Sequence, residues 1–318
     1  MSIEAVLFRG DGSDDSIELE GRDEVRISRD ELLWIDASSL DAAELAIIRQ
    51  ALGLSDRVVA ALKARPIDPD AKVLEGGVEV VVRVLADGAE GDPTPVQIVV
   101  GDDWIITHHK ESVPFLEERR EAIRDDRPVG RLTPVQFLVS VLDWHVDSYF
   151  HAAEELEAEV DRLDDAALGS DRDILARLVD MRGRIARVRR LLSPHREMFA
   201  GLARPVFLPD LDAAERDALT AVAVRLERAV EAITNTREML IGTFDVHMTR
   251  TAQRTNDIMR VLTLASVVLL PSVVLAGVMG MNFKVGIFDN PNLFWVVIGV
   301  MLAMAAATLG VARWRGWL

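Results

Sequence analysis

The sequence predicts an α+β membrane protein: an N-terminal α/β cytosolic domain, then a long helical stalk continuing into the first of two C-terminal transmembrane helices. Three observations predict it. Short β-like runs alternate with helical segments over the first hundred residues. From Thr133 onward the pattern turns helical, and two long uncharged runs stand near the C-terminus.

The runs Leu32-Leu33-Trp34-Ile35-Asp36, Val78 to Leu85, Val96 to Val100 and Trp104 to Thr107 read as strands, with helices near 41–52 and 113–125. Asp87 to Pro95, rich in Gly, Pro and Asp, is a loop between two strands. This α/β domain is assigned to residues 1–130. Thr133-Pro134 is a capped start with proline in the first turn, and the helix it opens runs to about Ala167, where Gly169-Ser170 ends it. A second helix spans 172–200. After Pro205 and Pro209 a third begins near Leu211, and no proline or glycine pair interrupts it before the membrane, apart from the lone Gly242. It enters the bilayer as one rod of about 70 residues. The helical region and stalk are residues 131–257, and the two-helix transmembrane domain is 258–318 with an outer loop at 280–292.

From Val261 to Phe283 no residue is charged. As a helix this run rises about 34 Å, enough to cross a hydrocarbon core of about 30 Å. A second uncharged run, Pro291 to Ala312, follows a loop too short for anything but a hairpin. Arg250, Arg254 and Arg260 before the first run, and Arg313 and Arg315 after the second, place both termini in the cytosol. Trp314 and Trp317 stand at the same interface, and Lys284 in the outer loop. Met1 to Val6 lacks the basic segment and apolar run of a secretory signal, so the expected location is the cytoplasmic (inner) membrane, crossed twice.

The net charge is −16, from 52 acidic against 36 basic residues, which argues against a nucleic-acid partner and suits cations. The absence of cysteine excludes disulfides, thiolate catalysis and cysteine-ligated zinc. No phosphate loop, no Gly-x-Ser-x-Gly elbow and no His-Glu-x-x-His is present, so the chain does not read as an enzyme.

The stretch Thr255 to Thr263, then Leu270-Pro271, then Gly277-Val278-Met279-Gly280-Met281-Asn282-Phe283, resembles the CorA magnesium-channel family, part of the CorA/ZntB superfamily. Gln136 to Phe150, Glu154-Glu155-Leu156 and Arg189 to Glu197 are also similar to it, so the resemblance is specific from about residue 130 onward. It implies a divalent-cation channel, a homopentamer in the lipid bilayer whose first membrane helices surround one pore. Gly280, Met281 and Asn282 would form the selectivity filter, with five Asn282 amides at the outer mouth. The implied cargo is Mg²⁺, with Co²⁺ or Ni²⁺ as companions, and cytosolic Mg²⁺ as the gating ion. A Zn²⁺ transporter coupled to protons, on the same scaffold, stays open because Lys284 follows the motif where relatives often carry an acidic residue. A non-conducting membrane-anchored sensor is the reading from another class.

On the rod, Ala252, Asn256, Met259, Thr263, Ser266, Leu270, Val273 and Gly277 fall on one face at steps of three and four, a candidate pore lining. Met259, Leu262 and Leu270 would make an apolar constriction able to gate by losing water. Asp245, with Asp257 nearer the membrane, is a candidate metal-attracting ring. Ala276/Gly280, Ala303/Ala307 and Ala306/Gly310 are small pairs that permit close helix contact. Asp143, Asp147, His151 and Glu155 share one helix face, and are expected to pair with Arg182, Arg184, Arg187, Arg189 and Arg190 of the next helix rather than to bind metal. His108 and His109, adjacent on a strand, are expected to point to opposite faces.

Overall fold

A computed structural model describes residues 3–10, 14–20, 25–28, 30–85, 88–124, 132–169, 173–202, 204, 207–208, 211–281 and 292–316. It divides into two compact units, Met1–Thr243 and Phe244–Leu318.

The first unit is built on a seven-stranded sheet in the order β2-β1-β3-β7-β6-β5-β4. The strands are β1 (Ile3–Arg9), β2 (Asp15–Ser16), β3 (Glu31–Ala37), β4 (Asp70–Leu74), β5 (Gly77–Val84), β6 (Thr94–Val100) and β7 (Trp104–His109). Every neighbouring pair is antiparallel except β3 and β7, which run parallel with Leu33 opposite Trp104 and Ala37 opposite His108. Of the expected strands all four are present, and β1, β2 and β4 are additions. β4 escapes because Asp70-Ala71-Lys72-Val73-Leu74 is an edge strand with no buried residue, so nothing selects the alternation by which strands are read. Its link to β5 is the two-residue turn Glu75-Gly76, and Gly76 holds a positive φ of 89°. A Cβ on the next residue, Gly77, would stand 2.6 Å from the Val100 carbonyl, so two strand backbones approach there as only glycine allows.

Helices α1 (Ala42–Leu52) and α2 (Asp56–Ala64) cover one face of this sheet, where Leu45, Ile48, Val58 and Leu62 join Leu33, Ile35 and Ile106 in one core. Asp41 caps α1 through a capping box with Glu44. Phe8 and Trp34 pack instead on Phe137 of α4 (Pro134–Ala167), with ring centroids 6.1 Å and 5.1 Å away. Alternate residues of β3 thus enter two different cores. α3 (Pro114–Arg124) follows β7.

The expected helix over 172–200 is two: α5 (Ile174–Leu192) and α6 (His195–Leu202). The break falls at Ser193-Pro194, where proline has no N–H to continue the ladder. In α4, α5 and the first half of α7 (Ala213–Met279) the buried positions step by three and four alternately. They are Val146, Tyr149, Ala153, Leu156, Val160 and Leu163; Ile174, Leu178, Met181, Ile185 and Val188; Leu219, Val222, Leu226, Ala229, Ile233 and Thr236. A mean step of 3.5 is the heptad spacing of helices packed at shallow angles.

The second unit holds the remainder of α7 and α8 (Leu293–Trp314). α7 runs unbroken for 67 residues through Pro271, as the rod expectation required.

Candidate transmembrane pore face

Both α7 and α8 are long and apolar enough to cross a membrane, and none of their most apolar residues is buried within the chain. From Val261 on, the partly covered positions of α7 are Leu264, Val268, Pro271, Ser272, Leu275 and Met279; on α8 they are Val297, Met301, Ala305 and Thr308, with Ala312 buried. Each set keeps to one helix face, and these are the faces the two helices turn to each other. The guanidinium of Arg260 donates to the Gly316 carbonyl and ties the end of α8 to α7.

The expected pore residues lie elsewhere on α7. Asn256, Met259, Leu262, Thr263, Ser266, Leu270, Val273 and Gly277 are all exposed in the single chain, Leu270 at 65% and Val273 at 63%. Their stripe is offset by two residues from the face that meets α8, about 200° around a helix that turns 100° per residue. Asn256, Thr263 and Ser266 supply its polar groups, although the Ser266 hydroxyl is turned back to donate to the Leu262 carbonyl. Gly280 and Met281 follow at the helix end, where the Gly280 N–H donates to the Ala276 carbonyl at 2.9 Å. Asn282, with Lys284 and Asp289, lies outside the described residues. Asp245 and Asp257 are exposed on α7, and Ala303, Ala306, Ala307 and Gly310 are exposed on α8.

In the first unit the acidic face of α4 is partnered differently from expectation. Asp143 and Asp147 both accept from the Arg225 guanidinium, which comes from α7 and not from α5. Glu155 accepts from the Ala89 N–H at 3.0 Å. The α5 arginines reach other groups: Arg184 pairs with Glu90 and Glu159, and Arg187 donates to the Glu90 and Gly91 carbonyls and to Asp92. Together they clasp the β5–β6 loop. His108 and His109 do face apart. His108 Nδ1 donates to Gln97 at 3.2 Å, and burial, with Arg65 and His109 beyond it, lowers its pKa to about 4. His109 also loses to burial, but its bonds to the Asp36 carboxylate and the Glu111 carbonyl outweigh that and raise its pKa. Among the described residues no three His, Asp or Glu side chains gather as a metal site.

A second buried pair went unnoticed in the sequence. β4 stops pairing at Val81, and two residues further Arg83 gives its N–H to His195 Nε2 at 3.1 Å, while Tyr149 donates its hydroxyl to the Arg83 carbonyl at 2.9 Å. Side chains of α6 and α4 thereby continue the ladder where the edge strand ends. His195 must carry its proton on Nδ1, which donates to the Leu192 carbonyl, and burial lowers its pKa to about 4. His145, with its ring 4.5 Å from that of His195, has no hydrogen-bond partner for either nitrogen, and burial holds its pKa well below the ordinary value.

The model of the CorA-like Mg²⁺ transporter protein family matches residues 29–312. The chain belongs to that family. It is a family of transporters, not of enzymes. The chain is 22% identical over 301 residues to the cobalt/magnesium transport protein CorA of Methanocaldococcus jannaschii, covering 93% of this chain and 94% of that one. The solved structure of that archaeal transporter superposes on 99% of the chain with a TM-score of 0.80 at 21% identity, which establishes the shared fold. The Thermotoga maritima cobalt/magnesium transport protein CorA is 24% identical over 230 residues, 70% of this chain and 64% of its own. The zinc transport protein ZntB of Yersinia enterocolitica is 22% identical over 256 residues, 80% of this chain and 77% of its own.

Proposed function

We propose that this CorA-family divalent-cation transporter carries Mg²⁺ into the cytosol through a pore shared by five copies, with a ring of Asn282 amides at the outer mouth. One observation carries the reading: the stripe from Asn256 to Gly277 is exposed, faces away from α8 and ends at Gly280-Met281, directly before Asn282. A polar and apolar stripe that packs on no other element among the described residues suits the lining of a channel made by several. Mg²⁺ surrenders water reluctantly, so amide oxygens that accept from its hydration shell pass it more readily than ligands that strip it. Met259, Leu262 and Leu270 form the dewetting constriction, and Asp245 supplies a carboxylate ring on the cytosolic side. Cytosolic Mg²⁺ closes the channel by bridging acidic side chains of neighbouring copies. Co²⁺ uses the same path.

The test is flux in proteoliposomes together with native mass spectrometry. Asn282→Ala removes five acceptors at once, and transport should collapse while the pentamer persists. An alanine variant that assembles and still carries Mg²⁺ at the parental rate removes Asn282 from the filter. A second reading, Zn²⁺ transport coupled to protons, draws on the likeness to a zinc transport protein and on Lys284 after the motif. Zn²⁺ uptake that follows an imposed pH gradient and ignores competing Mg²⁺ would favour it, and a protein that moves neither ion would be a sensor.

A further inference from the structure

Between α7 and α8 lies a groove of about 360 Å³ lined by Leu264, Val267, Ala307, Val311 and Ala312, with Arg315 at its end. From Ala307 to Arg315 it follows α8 for about 12 Å. Thr308 also lines it, but its hydroxyl donates to the Met304 carbonyl and is already satisfied. The groove is therefore apolar along its length and cationic at one end. Arg313 and Arg260 belong to the same helix ends, and among the described residues no carboxylate is paired with Arg313 or Arg315. From Asp257 to Gly316 the sequence has two carboxylates, Asp257 and Asp289, in a chain whose net charge is −16, and none lies on α8. The basic residues are concentrated where the rest of the protein would predict acid.

We propose that this groove holds one anionic phospholipid of the cytosolic leaflet, its phosphate on Arg315 and one acyl chain along Leu264, Val267 and Val311. The proposal rests on α7 and α8 spanning the membrane with Arg260 and Arg315 at the cytosolic side. Inside a bilayer an apolar groove gains little by trading one hydrocarbon chain for another, so shape alone selects nothing. Selection comes from the head. A guanidinium presents a planar fork that matches phosphate oxygens, and a cluster of arginines with no carboxylate on α8 favours a lipid of net negative charge over a zwitterion.

The full chain is reconstituted into vesicles of phosphatidylcholine, with and without phosphatidylglycerol, and its insertion is checked by resistance to alkaline extraction. It is then extracted gently and its retained lipids are weighed by native mass spectrometry. Phosphatidylglycerol should be retained in preference to phosphatidylcholine. Arg315→Gln should lower that retention about fivefold, the loss expected for one basic residue at an anionic surface, and Arg315→Lys should keep most of it. Ala307→Phe should fill the groove and exclude the lipid in a protein of unchanged helicity. Equal retention of both lipids, or parental retention in Arg315→Gln and Ala307→Phe, overturns the proposal. So does Ala307→Cys, in this cysteine-free chain, if it cross-links to a neighbouring copy while no lipid is retained, because a second copy then fills the groove. Failure to insert would overturn the spanning reading and this proposal with it. Lipid retention is read without ion flux, so a protein that inserts and transports nothing would leave the lipid site standing.

Discussion

His145 has both ring nitrogens buried and unpartnered, and beside it His195 spends both of its nitrogens on backbone groups. Protonating either ring places a charge where, among the described residues, no carboxylate faces it. The surrounding groups are Tyr149, Phe199 and the backbone of Arg83, whose guanidinium pairs with Asp68. Because the folded pKa of His195, about 4, lies below the ordinary 6.5, the folded state binds fewer protons than the unfolded chain. Stability is then full above pH 6.5 and lost as the pH falls toward 4, by up to about 3 kcal/mol for His195 alone at about 1.4 kcal/mol per pKa unit. His145 and His108 act in the same direction; His109, with its raised pKa, acts in the opposite one and loses its contribution as pH rises. His145→Leu should unfold no more easily than the parent at neutral pH, gaining up to about 1 kcal/mol by removing unsatisfied groups, and should show a shallower decline between pH 6.5 and 4. Thermal melts of the detergent-solubilised chain at stepped pH give the answer. An unchanged acid slope would mean that His145 finds partners.

At the scale of elements, Thr133 shows how far local sequence reaches. Its hydroxyl accepts from the Gln136 N–H at 3.1 Å while the Gln136 side chain accepts from the Thr133 N–H, a capping box legible in Thr133-Pro134-Val135-Gln136. The same hydroxyl donates to Glu215 of α7 at 2.6 Å, 82 residues away, which no local pattern announces. Thr133→Ala should therefore cost about 1–2 kcal/mol, the upper part of the range for a lost cap, and Thr133→Ser should restore it. Chemical-denaturation midpoints distinguish the two. Strongly periodic α4 and the β-branched runs of β5 and β6 were readable because burial dictates their residues. The short helix α2, the exposed strand β4 and the partners of Asp143 and Asp147 were not, since they depend on what the fold brings near. Heptad register extends this lesson: Val222, Leu226, Ala229 and Ile233, buried in the first unit, stand six heptads before Leu264, Val268, Pro271 and Leu275, which turn to α8. The stripe from Asn256 to Gly277 was visible in the sequence as a spacing. That it is the face opposite α8 required the structure.

For the whole molecule, two apolar helices with no buried window cannot be the final state of an isolated chain in water, so a bilayer is part of the fold. The sequence supplied the spans, their order and the motif at the end of the first. It was silent on the groove headed by Arg315, because a binding surface shared by two helices has no signature in either one.

The lone parallel joint in the sheet has a consequence for how the chain is made. β3 and β7 are neighbours in space, yet roughly seventy residues separate them, which takes several seconds to synthesise at about 5–20 residues per second. For that interval β3, hydrogen-bonded to β1 on one side, leaves the backbone N–H and C=O groups of its other edge unpaired, even after α1 and α2 have emerged to cover Leu33 and Ile35. An open apolar edge is a template for unwanted pairing. β4 to β7, by contrast, close as successive hairpins as soon as they emerge. Nascent chains stalled before Trp104 should accordingly bind chaperone or aggregate, and chains stalled once His109 has cleared the ribosome should not; equal behaviour at both lengths would mean that another segment shields β3 while it waits.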